Sequence, residues 1–530
     1  MLTRLFSLIL IVDCLHAADK PNILFVIADD CTFRDIGCYG GQAHTPNIDK
    51  LVSRSTAFRK HFTGIVPCGP ARTTLLTGLY PFIHRSVNNG TPLDKRFTNV
   101  AKEARKTGYD PKLYGYTDTS WDPRYLDGKD EKLFTYESPM EGFDPVCHLP
   151  ESNPIPWAMY LKEKGFDVSS PHDLYERDKP IKGQGFIHKP FDIPTEHSDT
   201  SFLAKRAIED IKKMTSPFFM HISFLRPHPP LFVSQPWHSL INPDDIDLPV
   251  VNKTYEELAK DHPFLKEITR RYTLEKYFSE IRYSDLTDQD IKNIISVYLG
   301  MCAEVDFNIG KILAALEESG QADNTMIIFT SDHGEMLGEQ RLWGKLGWWD
   351  SSYRIPLIVH VPGQNPKMIE EMTESVDVSP TILDWLGTEI PTNWNGRSLL
   401  PIVGNKKPNL EPRDFVVFEF DFRENHYSSF VENKQLAPEE CSLSVIRTQK
   451  WKYVHFPSLP PMLFDLKNDP FEQINLANQD QYMNVQSDLL SKLLSHRIRH
   501  SERQLSNIKL SSNGVLTATG PVDRKMHKSR

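Results

Sequence analysis

Asn22-Ile23-Leu24-Phe25-Val26-Ile27-Ala28 is an uninterrupted apolar run of strand length that ends in Asp29-Asp30. A run that is apolar on both faces reads as a central strand of a parallel sheet covered on both sides. Thr325-Met326-Ile327-Ile328-Phe329-Thr330 is a second such run, and it ends in Ser331-Asp332-His333-Gly334. In open α/β sheets ligands gather beyond the carboxyl ends of parallel strands, so the two acidic ends are expected to meet across a long stretch of intervening chain. Residues 217–224 and 355–361 read as further strands, and residues 47–55, 201–214 and 288–319 carry helical periodicity. Strands alternating with helices predict an α/β fold with a mostly parallel sheet between helical layers. The Pro-rich, weakly periodic stretch 119–194 is expected to be an insertion over the rim of the site. Beyond residue 405 the pattern changes to short strands at 415–420, 442–447 and 452–456, followed by a helix over 483–500. The predicted division is a signal peptide over 1–17, a catalytic domain over 20–405, and a smaller antiparallel α+β subdomain over 406–530. Its polar end, 501–530, reads as a tail or subunit contact.

Composition narrows the class. With 39% hydrophobic and 25% charged residues and a net charge of −9 spread along the chain, there is no basic stripe for nucleic acid and no polybasic membrane patch. Residues 5–12 form an apolar stretch after Arg4 and before Asp13-Cys14-Leu15-His16-Ala17-Ala18, which resembles a signal peptide and is too short to span a bilayer. The chain is therefore expected to be exported, to a periplasm or to the medium. Seven cysteines are scattered without a legible disulfide framework, and whether Cys31 and Cys38 pair is left open.

The chemistry gathers on few residues. Asp29, Asp30, Asp332 and His333 offer three carboxylates and one imidazole at converging strand ends, a hard donor set that suits Mg²⁺, Ca²⁺ or Mn²⁺. Taken separately, an Asp-Asp after a strand reads as a cap and an Asp-His-Gly as a turn. A third segment, Cys68-Gly69-Pro70-Ala71-Arg72-Thr73-Thr74-Leu75-Leu76-Thr77-Gly78, changes that balance. Its Cys-x-Pro-x-Arg spacing, followed by four residues and Thr-Gly, resembles the sequence at which a maturation enzyme oxidises cysteine to formylglycine. A hydrated aldehyde beside a metal supplies an oxygen nucleophile that can be regenerated. Arg72 lies one helical turn from Cys68, where its guanidinium can hold the hydrate or a substrate oxygen. A thiol protease reading would need a His and an Asn or Asp partner, and nothing else in the sequence supports it. Lys345, and His228 in Arg226-Pro227-His228-Pro229-Pro230, are candidates to contact the transferred group or to assist the leaving group.

These segments, with Leu75 to Tyr80, Gly108-Tyr109-Asp110-Pro111, Gly115-Tyr116-Thr117, residues 331–345, Pro460 to Leu466 and Asn468-Asp469-Pro470, resemble the phosphonate monoester hydrolase branch of the formylglycine-dependent sulfatases. That group lies in the alkaline phosphatase superfamily, and the resemblance runs from about Lys20 into the C-terminal subdomain. It implies an alkaline-phosphatase-like fold with one divalent metal held by Asp29, Asp30, Asp332, His333 and the formylglycine derived from Cys68. Arg72, Asn89, Tyr116, His228 and Lys345 would line the pocket. The implied partners are a small anionic ester, a formylglycine-generating or anaerobic maturation enzyme, and further copies of the chain in a homo-oligomer. The sequence departs from the pattern at Tyr116 to Asp118, where many sulfatases carry Lys-Trp-His, and at Asp118 and Asp30, where the phosphonate hydrolases tend to carry Thr and Gln. Two extra negative groups near the pocket are the expectation. The implied activity is hydrolysis of phosphonate monoesters, phosphodiesters or sulfate esters. The alternatives are a dedicated sulfatase of small or carbohydrate sulfates and an inactive binding protein of the same fold.

Overall fold

The computed structural model describes residues 20–175, 189–214, 217–251, 253–271, 286–404, 411–423, 429–477, 479–506, 508–512 and 514–517 of the 530-residue chain. The signal segment 1–17, the domain boundary at 405 and residues 518–530 of the tail lie outside them. Eight strands form the main sheet: β1 Asn22–Ala28, β2 Thr56–Phe62, β3 Pro111–Gly115, β4 Asp144–His148, β5 Phe219–Phe224, β6 Thr325–Ser331, β7 Arg354–His360 and β8 Lys367–Glu374. Their order is β4-β3-β5-β1-β6-β7-β2-β8. Only β7 is antiparallel to its neighbours, so the other seven strands point their carboxyl ends to one edge.

The central strand β1 serves two cores by simple alternation. Leu24, Val26 and Ala28 pack with Leu203 and Ala207 of the helix Asp199–Ile211 and with Ile309, Ile312 and Leu316 of the helix Asp288–Glu318. Ile23, Phe25 and Ile27 pack on the opposite face with Leu75 and Leu76 of the helix Cys68–Thr77 and with Ile382 and Leu383 of the helix Val378–Trp385. A strand buried on both faces has no polar positions, and this is why it was readable as a continuous apolar run.

The stretch 119–194 is more than an insertion. It supplies the edge strand β4 and the helix Ile155–Glu163, which buries Trp157, Ala158 and Leu161. Pro145 lies within β4, a residue that only an edge strand or a bulge accommodates, and the β3–β4 register shifts beside it. That proline and the short length hid the strand from a periodicity argument.

Four antiparallel strands, β9 Phe415–Asp421, β10 Ser442–Thr448, β11 Trp451–His455 and β12 Met462–Asp465, form the second sheet in the order β12-β11-β10-β9. One face buries Val416, Phe418, Val445 and Phe464 against Phe62, Trp348 and Tyr353 of the catalytic part. The other face is covered by Leu489 and Leu493 of the helix Met483–Arg499. The segment read as a polar tail also pairs Ile508–Ser511 with Gly514–Thr517 as a hairpin. No helix among the described residues is long and apolar enough to cross a membrane.

Lys452 of β11 is fully buried and fastens the two sheets together. Its ammonium donates to Trp348 O at 2.9 Å, Asp350 Oδ1 at 2.6 Å and Glu472 Oε1 at 2.6 Å. Replacing it leaves the buried Glu472 carboxylate without its cation, while Asp350 keeps Arg447 at 3.0 Å, and breaking such a buried pair costs about 3–5 kcal/mol. Lys452→Met is therefore expected to lower the urea midpoint clearly, and a midpoint equal to that of the wild type would show that the sheets do not depend on this ion cluster.

Candidate active site

Five of the parallel strands deliver polar residues to the same edge. Asp29 and Asp30 follow β1, Asp332 and His333 follow β6, Tyr116 follows β3, Ser223 ends β5 with His228 just beyond it, and the chain after β2 leads to Cys68. The two acidic strand ends expected to converge do so. Ser331 Oγ accepts the Cys31 N–H at 3.1 Å and lies 2.7 Å from Ala28 O and 2.6 Å from His333 O, so one hydroxyl ties the end of β1 to the end of β6.

Cys68 is the first residue of a ten-residue helix that is buried along its whole length. Its threonines satisfy their hydroxyls within the helix, Thr74 on Pro70 O at 2.9 Å and Thr77 on Thr73 O at 2.6 Å. The helix stops at Gly78, whose φ of 63° suits a residue without a Cβ. Cys68 Sγ lies 3.1 Å from His333 Nε2 and 3.8 Å from Asp29 Oδ1. Burial, reinforced by the Asp29 carboxylate, pushes this thiol up to about 11, so it is held as a neutral thiol and not as a thiolate nucleophile.

Arg72 lies one turn further along and is entirely buried. Nε donates to Asp332 Oδ2 at 2.9 Å, Nη2 to Asp29 Oδ2 at 3.0 Å, and Nη1 to Ser223 Oγ at 2.6 Å and Tyr116 O at 3.1 Å. The guanidinium stacks 4.3 Å from the centre of the Tyr116 ring, whose hydroxyl donates to Asp29. Arg72, expected to hold a hydrate or a substrate oxygen, has its fork on Asp332, Asp29, Ser223 and Tyr116, one helical turn from Cys68. Ser223 was not read from the sequence. It comes close because Gly115 beside it has no side chain, and a Cβ there would lie 1.9 Å from Ser223 O.

Ligand atoms from Asp29, Cys68, Asp332 and His333 lie within 4.8 Å of one another, as do those of Asp29, Asp30 and His228. The cluster is short of positive charge. Although burial raises Asp29, the Arg72 guanidinium holds its carboxyl below the usual range. Asp332 shares that guanidinium, and burial together with the Asp29 charge pushes it up. Burial would lower the His333 imidazole, yet Asp332 keeps it protonated well above its ordinary range. Three carboxylates around one neutral thiol that also retain a proton on an imidazole form a donor set that fits a divalent cation.

Asp30 turns the chain in the left-handed region, with φ of 61°. Its carboxylate receives Lys345 Nζ at 2.9 and 3.0 Å, lies 3.0 Å from His333 Nδ1, and is 3.8 Å from His228 Nε2. Although burial opposes it, Lys345 holds Asp30 well below the carboxyl range, and Asp30 in turn holds the buried Lys345 well above the usual amine range. Burial lowers His228, whose Nδ1 lies 2.6 Å from Pro229 O, leaving Nε2 toward the site. Glu335, unread from the sequence, pins the loop that carries Lys345 by accepting the N–H groups of Leu337 at 3.1 Å and of Gly344. Asn89 sits at the helix start, where Oδ1 accepts the Gly69 N–H at 2.9 Å.

Asp118 is placed differently from expectation. It is buried, its Oδ1 has no hydrogen-bond partner, and burial pushes its carboxyl well above the ordinary range. Burial there favours the protonated acid over an added negative charge, while the charge of Asp30 is matched by Lys345. Glu137 and Glu151, from the stretch expected at the rim, approach this region, Glu151 lying 4.0 Å from His228 Nδ1.

The family described as Sulfatase matches residues 21–388, and the N-sulphoglucosamine sulphohydrolase C-terminal family matches 338–499. The multifunctional alkaline phosphatase superfamily protein PehA of Trinickia caryophylli is 40% identical over 480 residues, covering 89% of this chain and 93% of that protein. The crystal structure of the phosphonate monoester hydrolase of Agrobacterium radiobacter superposes with a TM-score of 0.89 at 36% identity, over 94% of this chain and 100% of that one. The phosphonate monoester hydrolase of Silicibacter pomeroyi gives a TM-score of 0.87 at 35% identity, over 94% and 99%.

The Asp118 assignment has a pH signature. The folded state keeps a proton that the unfolded chain loses above about pH 4, so this residue makes stability fall as pH rises toward the elevated folded pKa, by up to about 1.4 kcal/mol per unit. Asp118→Asn removes that slope. Its melting temperature relative to wild type should climb between pH 5 and pH 8, and a difference independent of pH would show that Asp118 is ionised in the folded protein.

Proposed function

The chain belongs to the sulfatase family and is a hydrolase of sulfate or phosphonate esters, and we propose that it acts through formylglycine at position 68 and one divalent metal on singly charged esters, phosphonate monoesters foremost. The observation that carries this reading is the position of Cys68, at a helix start and within ligand distance of Asp29, Asp332 and His333. Held by Asp29, Asp30, Asp332 and His333, a divalent cation would supply Lewis acidity, and a hydrated aldehyde at position 68 would supply an oxygen nucleophile.

The chain's own side chains divide the remaining work. Arg72 is a positioning residue that fixes the Oδ2 atoms of Asp29 and Asp332 and so orients both carboxylates. Lys345, with its side chain 6% exposed, is a permanent cation at the edge of the cluster for an ester oxygen. His228, neutral with its Nδ1–H on Pro229 O, presents Nε2 as an acceptor that can take up a proton and then pass it to the leaving oxygen. Asn89 and Tyr116 hold the helix start and Asp29 in place. The preference for a single charge rests on this inventory, because Arg72 is paired with Asp29 and Asp332 and Lys345 with Asp30, so both cations are already shared with the protein's own carboxylates and a second substrate charge would go unmatched. The reading also includes export, maturation of Cys68 by a formylglycine-generating or anaerobic maturation enzyme, and assembly into a homo-oligomer.

The test is kinetics on a phosphonate monoester, a phosphodiester, a sulfate monoester and a phosphate monoester with one aryl leaving group, alongside peptide mass spectrometry of position 68. The expected result is formylglycine at 68, higher kcat/KM for the three monoanions than for the phosphate dianion, and no turnover by Cys68→Ala. An active enzyme with a free thiol at 68 would overturn the mechanism, and a preference for the dianion would overturn the charge argument.

Asp332→Asn removes one carboxylate from the cluster. Metal content and kcat should fall together, the latter by orders of magnitude, since Lewis acidity contributes several kcal/mol to such a barrier. Full metal content at near-normal rate would exclude Asp332 as a ligand.

A further inference from the structure

Behind the candidate site, on the far side of Asp30, two cysteines face each other in the interior. Cys31 stands three residues beyond the end of β1, after Asp29 and Asp30, and Cys302 lies near the middle of the helix Asp288–Glu318, 271 residues later in the chain. Their sulfurs and a carboxylate oxygen of Asp35 lie within 4.8 Å of one another, and the two residues are only 2% and 3% exposed. The backbone at both positions is already fixed. Cys31 N–H donates to Ser331 Oγ at 3.1 Å, and one turn before Cys302 the Tyr298 hydroxyl lies 2.6 Å from both Asp30 O and Asp35 Oδ2.

We propose that Cys31 and Cys302 form a disulfide that ties the Asp30 loop to the long helix. The sulfurs need close by less than about 3 Å to reach S–S bonding distance. A cystine is neutral, and this suits a pair faced by the carboxylates of Asp35 and Asp332. The competing use of two thiols and a carboxylate, a metal site, would place two thiolates beside those carboxylates. Asp35 is moreover already engaged by Tyr298 and by the Thr32 N–H at 3.0 Å. Cys38 is the other candidate partner for Cys31, but it is half-buried and does not join the cluster.

The bond forms before the helix closes over the loop. One thiolate attacks the disulfide of a thiol–disulfide oxidoreductase in the exporting compartment and forms a mixed disulfide. The second thiolate then displaces the carrier's sulfur, so that two thiols lose two protons and two electrons and the carrier is reduced to a dithiol. Once folded, burial keeps the bond from reductants. A cross-link across so long a loop restricts the unfolded chain strongly and holds Asp30 to the helix.

The test uses the full chain exported to an oxidising periplasm and the same chain made in a reducing cytosol. Each is alkylated in denaturant without reduction and then peptide-mapped. The expected result is a linked Cys31–Cys302 peptide pair in the exported protein, free thiols in the cytosolic one, and a melting temperature lower in the latter by on the order of 5 °C. The double variant Cys31→Ala/Cys302→Ala should lose the difference between compartments. Free Cys31 and Cys302 in the exported protein, a Cys31–Cys38 linkage, or stoichiometric metal released together with both thiols would each overturn the disulfide. Equal melting temperatures with the linked peptide present would overturn the tether.

Discussion

One guanidinium holds the edge of the sheet together. Through Arg72, Asp29 after β1, Asp332 after β6, Ser223 at the end of β5 and Tyr116 after β3 are bound to a single planar fork. A fully buried cation is costly unless it is paired, and buried carboxylates are costly unless something neutralises them, so each side of the arrangement depends on the other. The helix Cys68–Thr77 is buried along its whole length, with Leu75 and Leu76 packed against the face of β1 that carries Ile23, Phe25 and Ile27. Cys68 occupies its place at the cluster one helical turn ahead of Arg72 on the same face.

The same geometry sets the charge balance of the site. One guanidinium cannot neutralise two carboxylates, and burial with the neighbouring Asp29 charge pushes Asp332 up, while Asp332 raises the buried His333 imidazole. Asp30 stands outside the reach of Arg72 and is matched separately by Lys345. Asp118, facing the same region without a cation of its own, resolves the conflict by remaining protonated. Carboxylates that look alike in the sequence therefore take different protonation states, according to which of them a buried cation reaches.

The sequence disclosed the parts of this arrangement that are dictated by burial on two faces. β1 and β6 are buried at every position around the apolar runs Ile23 to Ala28 and Met326 to Phe329, so the acidic residues beyond them could be read directly. β2 and β8 carry Arg59, Lys60, Glu370 and Glu371, because one side of that sheet edge meets solvent, and their mixed patterns gave no strand signal. β3 is five residues long and begins with a proline, and it was not read as a strand. Ser223 and Glu335 escaped for another reason. Their roles come from a tertiary approach, the first permitted by Gly115 and the second by the folding back of residues 335–344, and neither leaves a local pattern.

The C-terminal sheet also enters the site, through the loop that carries Lys345. That loop leaves β6, turns where Met336 N–H donates to Gly344 O at 2.8 Å, and returns to β7 through Trp348 and Asp350. Its outer contacts are not made by the main sheet. Gln340 Nε2 donates to Phe471 O at 2.7 Å, the Asp350 N–H donates to Glu472 Oε1 at 3.2 Å, and Lys452 of β11 binds Trp348 O and Asp350. Trp348 packs among Phe418, Phe456 and Phe464 on the inner face of the second sheet. The main sheet thus positions the carboxylates, the imidazole and Cys68, while the cation opposite Asp30 is held in a loop clamped between the two sheets. A smaller domain that contributes none of the clustered ligand residues still holds the loop from which Lys345 meets Asp30, which gives a physical reason for the two sheets to share one hydrophobic core.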